Sequence, residues 1–135
     1  KHCDNDKLFA GIKELIQDLH AQGKTLAIAT GKKRKGLERV LPNSGIEAFF
    51  TTTKTADETA GKPNPLMLEQ ILVETGTRIE DAVFIGDSIH DIRMANNINM
   101  DSIAVSYGCE KADVLAKEQP TKLVTTINEL KQQLI

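Results

Sequence analysis

The chain lacks the marks of several protein classes. Its two cysteines, Cys3 and Cys109, lie far apart with no C-x-x-C spacing, which argues against a disulfide or zinc framework and predicts free thiols in a reducing compartment. The three histidines, His2, His20 and His90, form no ligand pattern. No apolar run reaches the roughly 20 residues needed to cross a bilayer. Lys1 to Lys7 (KHCDNDK) is too polar for a secretory signal, so a cytoplasmic protein with no membrane partner is expected. A net charge of −2 argues against a general nucleic-acid binder. There is no internal repeat, low-complexity tract or linker, and 135 residues suit one domain, 1–135. An initiator methionine is also missing, which predicts a processed product or a fragment.

What is present is alternation. Leu8, Ile12, Leu15, Ile16 and Leu19 recur at helical spacing ahead of Gly23, predicting a helix over 8–22. TLAIAT follows as a buried strand, then a helix over 33–44 with Leu37, Val40 and Leu41 on one face, then a strand over 48–53 (AFFTTT). NPLMLEQILVETG has Pro65 near its start and Gly76 at its end, as a helix does. AVFIG then reads as a strand, followed by a helix over 88–98, a strand over 102–106, a short helix near 110–118, a strand at 122–124 and a helix over 126–134. Strands alternating with helices predict an α/β fold, a mostly parallel, doubly wound, Rossmann-like sheet covered on both faces.

Three loops at strand ends carry the chemistry: ATGKK, GKPNP and GDSIHD. Each has an ordinary reading. Thr30 can cap the following helix, Lys62 can be a solvated loop lysine, and Asp87 or Ser88 can cap a helix whose positive end favours Asp91. The alternative is that Asp87 and Asp91, at the carboxyl end of a buried strand, hold a divalent cation in the crevice where open α/β sheets bind ligands. KKRK at 32–35 reads as solvated charge, yet four cations at a helix N-terminus oppose the dipole, so a compensating benefit is expected, such as a field drawing an anion toward Thr30. His90 is expected to be a loop residue rather than a catalyst.

Taken together and in this order, Thr-Gly, Lys-Pro and Gly-Asp-Ser-x-x-Asp resemble the motifs of the haloacid dehalogenase superfamily of phosphohydrolases. LFAGIKELI, GIEAFF and VSYG extend the likeness, over about residues 8 to 135, to phosphoglycolate phosphatase and its relatives with a helical cap. The resemblance implies a Mg²⁺-dependent phosphatase acting on a small phosphorylated metabolite through an aspartyl-phosphate. In it, Thr30 and the Gly31 N–H would bind phosphoryl oxygens and Lys62 would neutralise the phosphate and the nucleophile. Asp87 would bind Mg²⁺, and Asp91 would fix the ion's waters or hold Lys62.

The family's first motif, an Asp-x-Asp that supplies the nucleophile, has no match. Asp4 and Asp6 have the spacing but neither the preceding apolar strand nor the following Gly-Thr. A partial core lacking the nucleophile strand and cap is therefore expected. That strand would lie between those ending at Thr30 and Asp87, so the chain alone should be inactive, with free sheet edges that invite another segment or self-association. A response-regulator receiver is disfavoured because its acids precede its Thr and Lys. A catalytically dead, phosphatase-derived binding module stays open.

Overall fold

The computed structural model describes residues 11–106 and 110–134. Asp4, Asp6, Cys3, Cys109 and the start of the 8–22 helix lie outside them. Five strands alternate with six helices: α1 (Ile12–Ala21), β1 (Leu26–Thr30), α2 (Arg34–Ser44), β2 (Phe50–Thr55), α3 (Leu66–Thr75), β3 (Val83–Gly86), α4 (Ile89–Asn96), β4 (Asp101–Val105), α5 (Ala112–Ala116), β5 (Lys122–Val124) and α6 (Ile127–Leu134). Every strand pairing is parallel, β1 with β2 and β3 with β4 with β5. Parallel neighbours need a crossover, and the intervening helices supply it.

Alternate residues of each strand feed opposite layers. On one side Leu26, Ile103 and Val105 pack with Leu15 and Leu19 of α1 and Leu130 of α6, while Ile28 packs with Leu37 and Leu41 of α2. On the other, Ala29 and Phe84 meet Met67 and Leu68 of α3 and Met94 of α4, and Ala104 packs with Ile92 and Leu115. The result is the expected α/β layering, with helices packed on both sides of the parallel strands. No helix among the described residues is long and apolar enough to cross a membrane.

The hydrogen-bonded ladder is not continuous. Among the described residues the strands form two sheets, β1-β2 and β3-β4-β5, and β1 does not pair with β3. Exposure follows the interruption: Val83 and Ile85 of β3 are 42% and 37% exposed, whereas Ile103, the partner of Ile85 on β4, is 4% exposed. Cavities of about 720 and 530 Å³ border this line, and Ala29, Phe84 and Ile85 face both.

Two expectations need correction. The strand predicted over 48–53 begins only at Phe50, because Glu47–Phe49 form a 3₁₀ turn closed by the Phe49 N–H on the Ile46 carbonyl at 3.0 Å. That turn lets Ile46 and Phe49, three residues apart, both pack on Leu37 and Leu41, a gain that extended backbone could not give. His90 is not in a loop; it is the second residue of α4 and is exposed.

Candidate active site

The larger cavity opens at the carboxyl ends of β1 and β3. Its wall contains Thr30, Gly31, Lys62, Asp87 and Asp91, all five residues singled out in the sequence, together with Lys32, Ser88 and His90. Parallel strands place their following loops on one edge, which is why motifs spread over 62 positions can meet.

Thr30 does not cap α2. The residue preceding that helix is Lys33, which makes no side-chain cap, and Thr30 Oγ1 instead accepts the Lys32 N–H at 3.1 Å. This bond folds the loop after β1 and leaves the hydroxyl its own proton to donate. A Cβ built on Gly31 would meet nothing within 4 Å, so its backbone faces open space.

Lys62 sits in a loop tied down on both flanks. The Asn64 N–H donates to the Gly61 carbonyl at 3.0 Å, Asn64 Oδ1 accepts the Leu66 N–H at 3.0 Å, and Asn97 Nδ2 on the far side donates to the Pro63 carbonyl at 2.9 Å. Its ammonium bonds Asp91 Oδ1 and lies 5.7 Å from the centre of the Phe84 ring, a cation–π distance. With side chains only 18% and 6% exposed, this ion pair is well removed from water, and removing one partner strands the other charge.

The capping reading of the aspartate loop holds for Ser88 and Asp91. Ser88 Oγ accepts the Asp91 N–H at 3.3 Å, and Asp91 Oδ2 accepts the N–H groups of Ser88 at 3.3 Å and Asp87 at 3.1 Å, which completes a capping box. Asp91 therefore serves helix and lysine at once, with one oxygen for each. Gly86 makes this possible, since any Cβ there would fall 2.3 Å from Asp91 Cβ. Asp87, half-buried, is the first residue beyond β3 and borders the cavity.

Sequence reasoning missed one constellation altogether. Arg34 bonds Glu58 and Thr53, and its backbone N–H is capped by Asp57. Proximity in the fold, across 19 to 24 residues, is the only thing that joins them. The sole hint in the sequence is the unfavourable placement of KKRK at a helix start.

The sequence matches a family profile: that of the haloacid dehalogenase-like hydrolases, over residues 1–105. The chain belongs to that family. It is 30% identical over 133 residues to pyrophosphatase PpaX of Halalkalibacterium halodurans, covering 96% of this chain and 62% of that protein. It is 27% identical over 124 residues to a phosphoglycolate phosphatase of Vibrio parahaemolyticus, covering 91% of this chain and 54% of that protein. Among solved structures, a protein of Lactobacillus delbrueckii subsp. bulgaricus provisionally designated a phosphoglycolate phosphatase superposes with a TM-score of 0.86 at 28% identity, over 94% of this chain and 53% of that one. The chain thus spans a little over half the length of these family members, and its α/β architecture is that of their Rossmann-type fold.

Proposed function

We propose that the full-length protein hydrolyses a small phosphomonoester, of the phosphoglycolate type, with Mg²⁺ at this cavity. The observation that carries the reading is the convergence of Thr30, Gly31, Lys62, Asp87 and Asp91 on one cavity wall. The names of the relatives, a pyrophosphatase and a phosphoglycolate phosphatase, support it.

The Thr30 hydroxyl and the Gly31 N–H donate to the phosphoryl oxygens, where preorganised donors act most strongly on developing negative charge. Lys62 supplies a point positive charge, held in place by Asp91. The donors suit a hard cation that keeps most of its waters. Asp87 contributes a carboxylate to the cavity wall, both Asp91 oxygens are engaged by Lys62 and by amides, and no group of three or more acidic, histidine or cysteine ligands is present among the described residues. Mg²⁺ needs only one or two carboxylates, so Asp87 would bind it directly while Asp91 holds Lys62 beside it. Such an ion neutralises charge on the phosphoryl oxygens.

A family nucleophile is still required. Asp87 and Asp91 are committed to the cation and to Lys62, and Asp4 and Asp6 have neither an apolar strand before them nor a Gly-Thr after, so we propose that the 135-residue chain alone turns over no ester. In the full-length protein, Asp87→Ala or Thr30→Ala should lower turnover of a generic aryl phosphate about a hundredfold or more. Undiminished activity of Asp87→Ala in the presence of chelator overturns the metal assignment. Phosphate binding by the full-length protein without any turnover favours the phosphatase-derived binding module instead.

A further inference from the structure

Of the four cations at 32–35, Arg34 turns to the protein rather than to the cavity. Its guanidinium donates through Nε at 3.0 Å and Nη2 at 2.8 Å to one oxygen, Glu58 Oε1. It also reaches β2, through Nη1 to the Thr53 hydroxyl at 2.7 Å and through Nη2 to the Thr53 carbonyl at 3.0 Å. The Arg34 backbone N–H donates to Asp57 Oδ1 at 3.1 Å, so a carboxylate from another loop provides the N-terminal cap that Lys33 does not. Glu58 Oε1 in turn accepts the hydroxyl of the fully buried Thr55 at 3.1 Å, and the Thr30 carbonyl accepts the Ala56 N–H at 3.1 Å.

We infer that Arg34 is a positioning residue that fastens the Thr30–Lys33 turn to the 56–62 loop, so that the threonine and lysine facing the phosphate move as one body. The inference rests on the phosphatase reading for its functional meaning, though not for its geometry. The strand pairing itself stops at Thr30 and Thr55, and beyond that point the bonds to Asp57 and Glu58 continue the connection toward Lys62. On the other side, Lys62 and Pro63 are fastened to α4 by Asp91 and Asn97. A lysine at position 34 could not replace the arginine, because only a planar fork addresses Glu58 and both Thr53 oxygens together. The mutual bond raises the arginine pKa and pulls the Glu58 carboxyl down, as expected of a charge-assisted contact.

The test is amide hydrogen exchange in the full-length protein, comparing Arg34→Ala, Glu58→Ala and Glu58→Gln. Loss of the bridging side chain should speed exchange about five- to tenfold. The expected pattern is faster exchange at Arg34, Ala56, Glu58 and Asn64 together in the two alanine variants, unchanged protection at Ile103 and Ala104 of β4, and near wild-type exchange for Glu58→Gln, which keeps the accepting oxygen. The affinity of inorganic phosphate as a competitive inhibitor should fall severalfold in the same alanine variants. Faster exchange confined to residues 31–35, no change at either loop, or a uniform rise that includes β4 overturns the inference. Absence of all phosphate-ester turnover in the wild-type protein removes the phosphatase reading, and the exchange pattern still decides whether Arg34 couples the loops.

Discussion

Replacing Gly86 with alanine puts a methyl carbon 2.3 Å from Asp91 Cβ and 2.7 Å from both Asp91 Cγ and Oδ2. Asp91 is 4% exposed and sits in the first turn of α4, so it cannot swing into solvent without pulling on the helix. Relieving the overlap costs about 1–3 kcal/mol as overpacking. Moving the carboxylate also loosens its bonds to the Asp87 and Ser88 N–H groups, which amounts to losing a cap, about 1 kcal/mol. Lys62 then loses part of its counter-charge, which adds to the cost in the same direction. The sum, about 2–4 kcal/mol, corresponds to a fall of about 5–15 °C in the thermal midpoint of a full-length protein of the relatives' size. Gly31→Ala is the control, since a Cβ there meets nothing within 4 Å, and it should change stability by less than about 0.5 kcal/mol. Scanning calorimetry of the two variants decides. A Gly86→Ala midpoint within about 2 °C of wild type would mean that Asp91 relocates freely, and the account of a carboxylate locked between helix and lysine would be wrong.

Two further expectations follow from exposure and charge. Because Arg34 lowers the Glu58 pKa in the folded protein, the stabilisation from that contact is present above the ordinary glutamate range and is lost as pH falls through the depressed value. Exchange at Glu58, corrected for its intrinsic pH dependence, should therefore be flat between about pH 7 and 5 and rise below about pH 4, a rise absent in Glu58→Gln. In the 135-residue chain by itself, those amides of Val83–Gly86 that β4 does not satisfy should exchange at least about a hundredfold faster than those of Ile103 and Ala104. Equal protection would mean that another segment or a second copy covers the β3 edge.

Most elements were legible because this fold punctuates its sequence. The apolar runs TLAIAT and AVFIG read directly as strands, and Gly76 and Gly86 end their elements where the structure ends them. The error at residue 49 arose because an apolar residue next to a strand looks like part of it; only the position of Leu37 and Leu41 across the core makes Phe49 more useful in a turn. His90 was read as a loop residue although the helix predicted over 88–98 already contained it; Ser88 caps α4 and His90 falls in its first turn. The order of the three motifs brought Thr30, Lys62, Asp87 and Asp91 forward because loops after parallel strands share an edge. Asp57 and Glu58 stayed hidden because a lone acidic pair in a loop carries no address, and its partner lies 23 and 24 residues back. The necessity of Gly86 was likewise invisible: sequence shows a glycine that breaks a strand, and only coordinates show the carboxylate behind it.

The interrupted ladder gives the site an unusual mechanical setting. Thr30 and Gly31 belong to the β1-β2 piece and Asp87 and Asp91 to the β3-β4-β5 piece, and what joins the pieces near the cavity is side-chain packing around Met67 and Phe84 together with the loop of Lys62. Under the proposed function, a phosphate held by Thr30 and Lys62 on one side and, through a cation, by Asp87 on the other would be a cross-brace as well as a ligand. By thermodynamic linkage, an anion at a hundred times its dissociation constant would add about 2.7 kcal/mol to the association of the two pieces. On that reading, occupancy of the cavity and integrity of the sheet become two readings of one equilibrium, so whatever closes the seam between β1 and β3 would also tighten the grip on the anion.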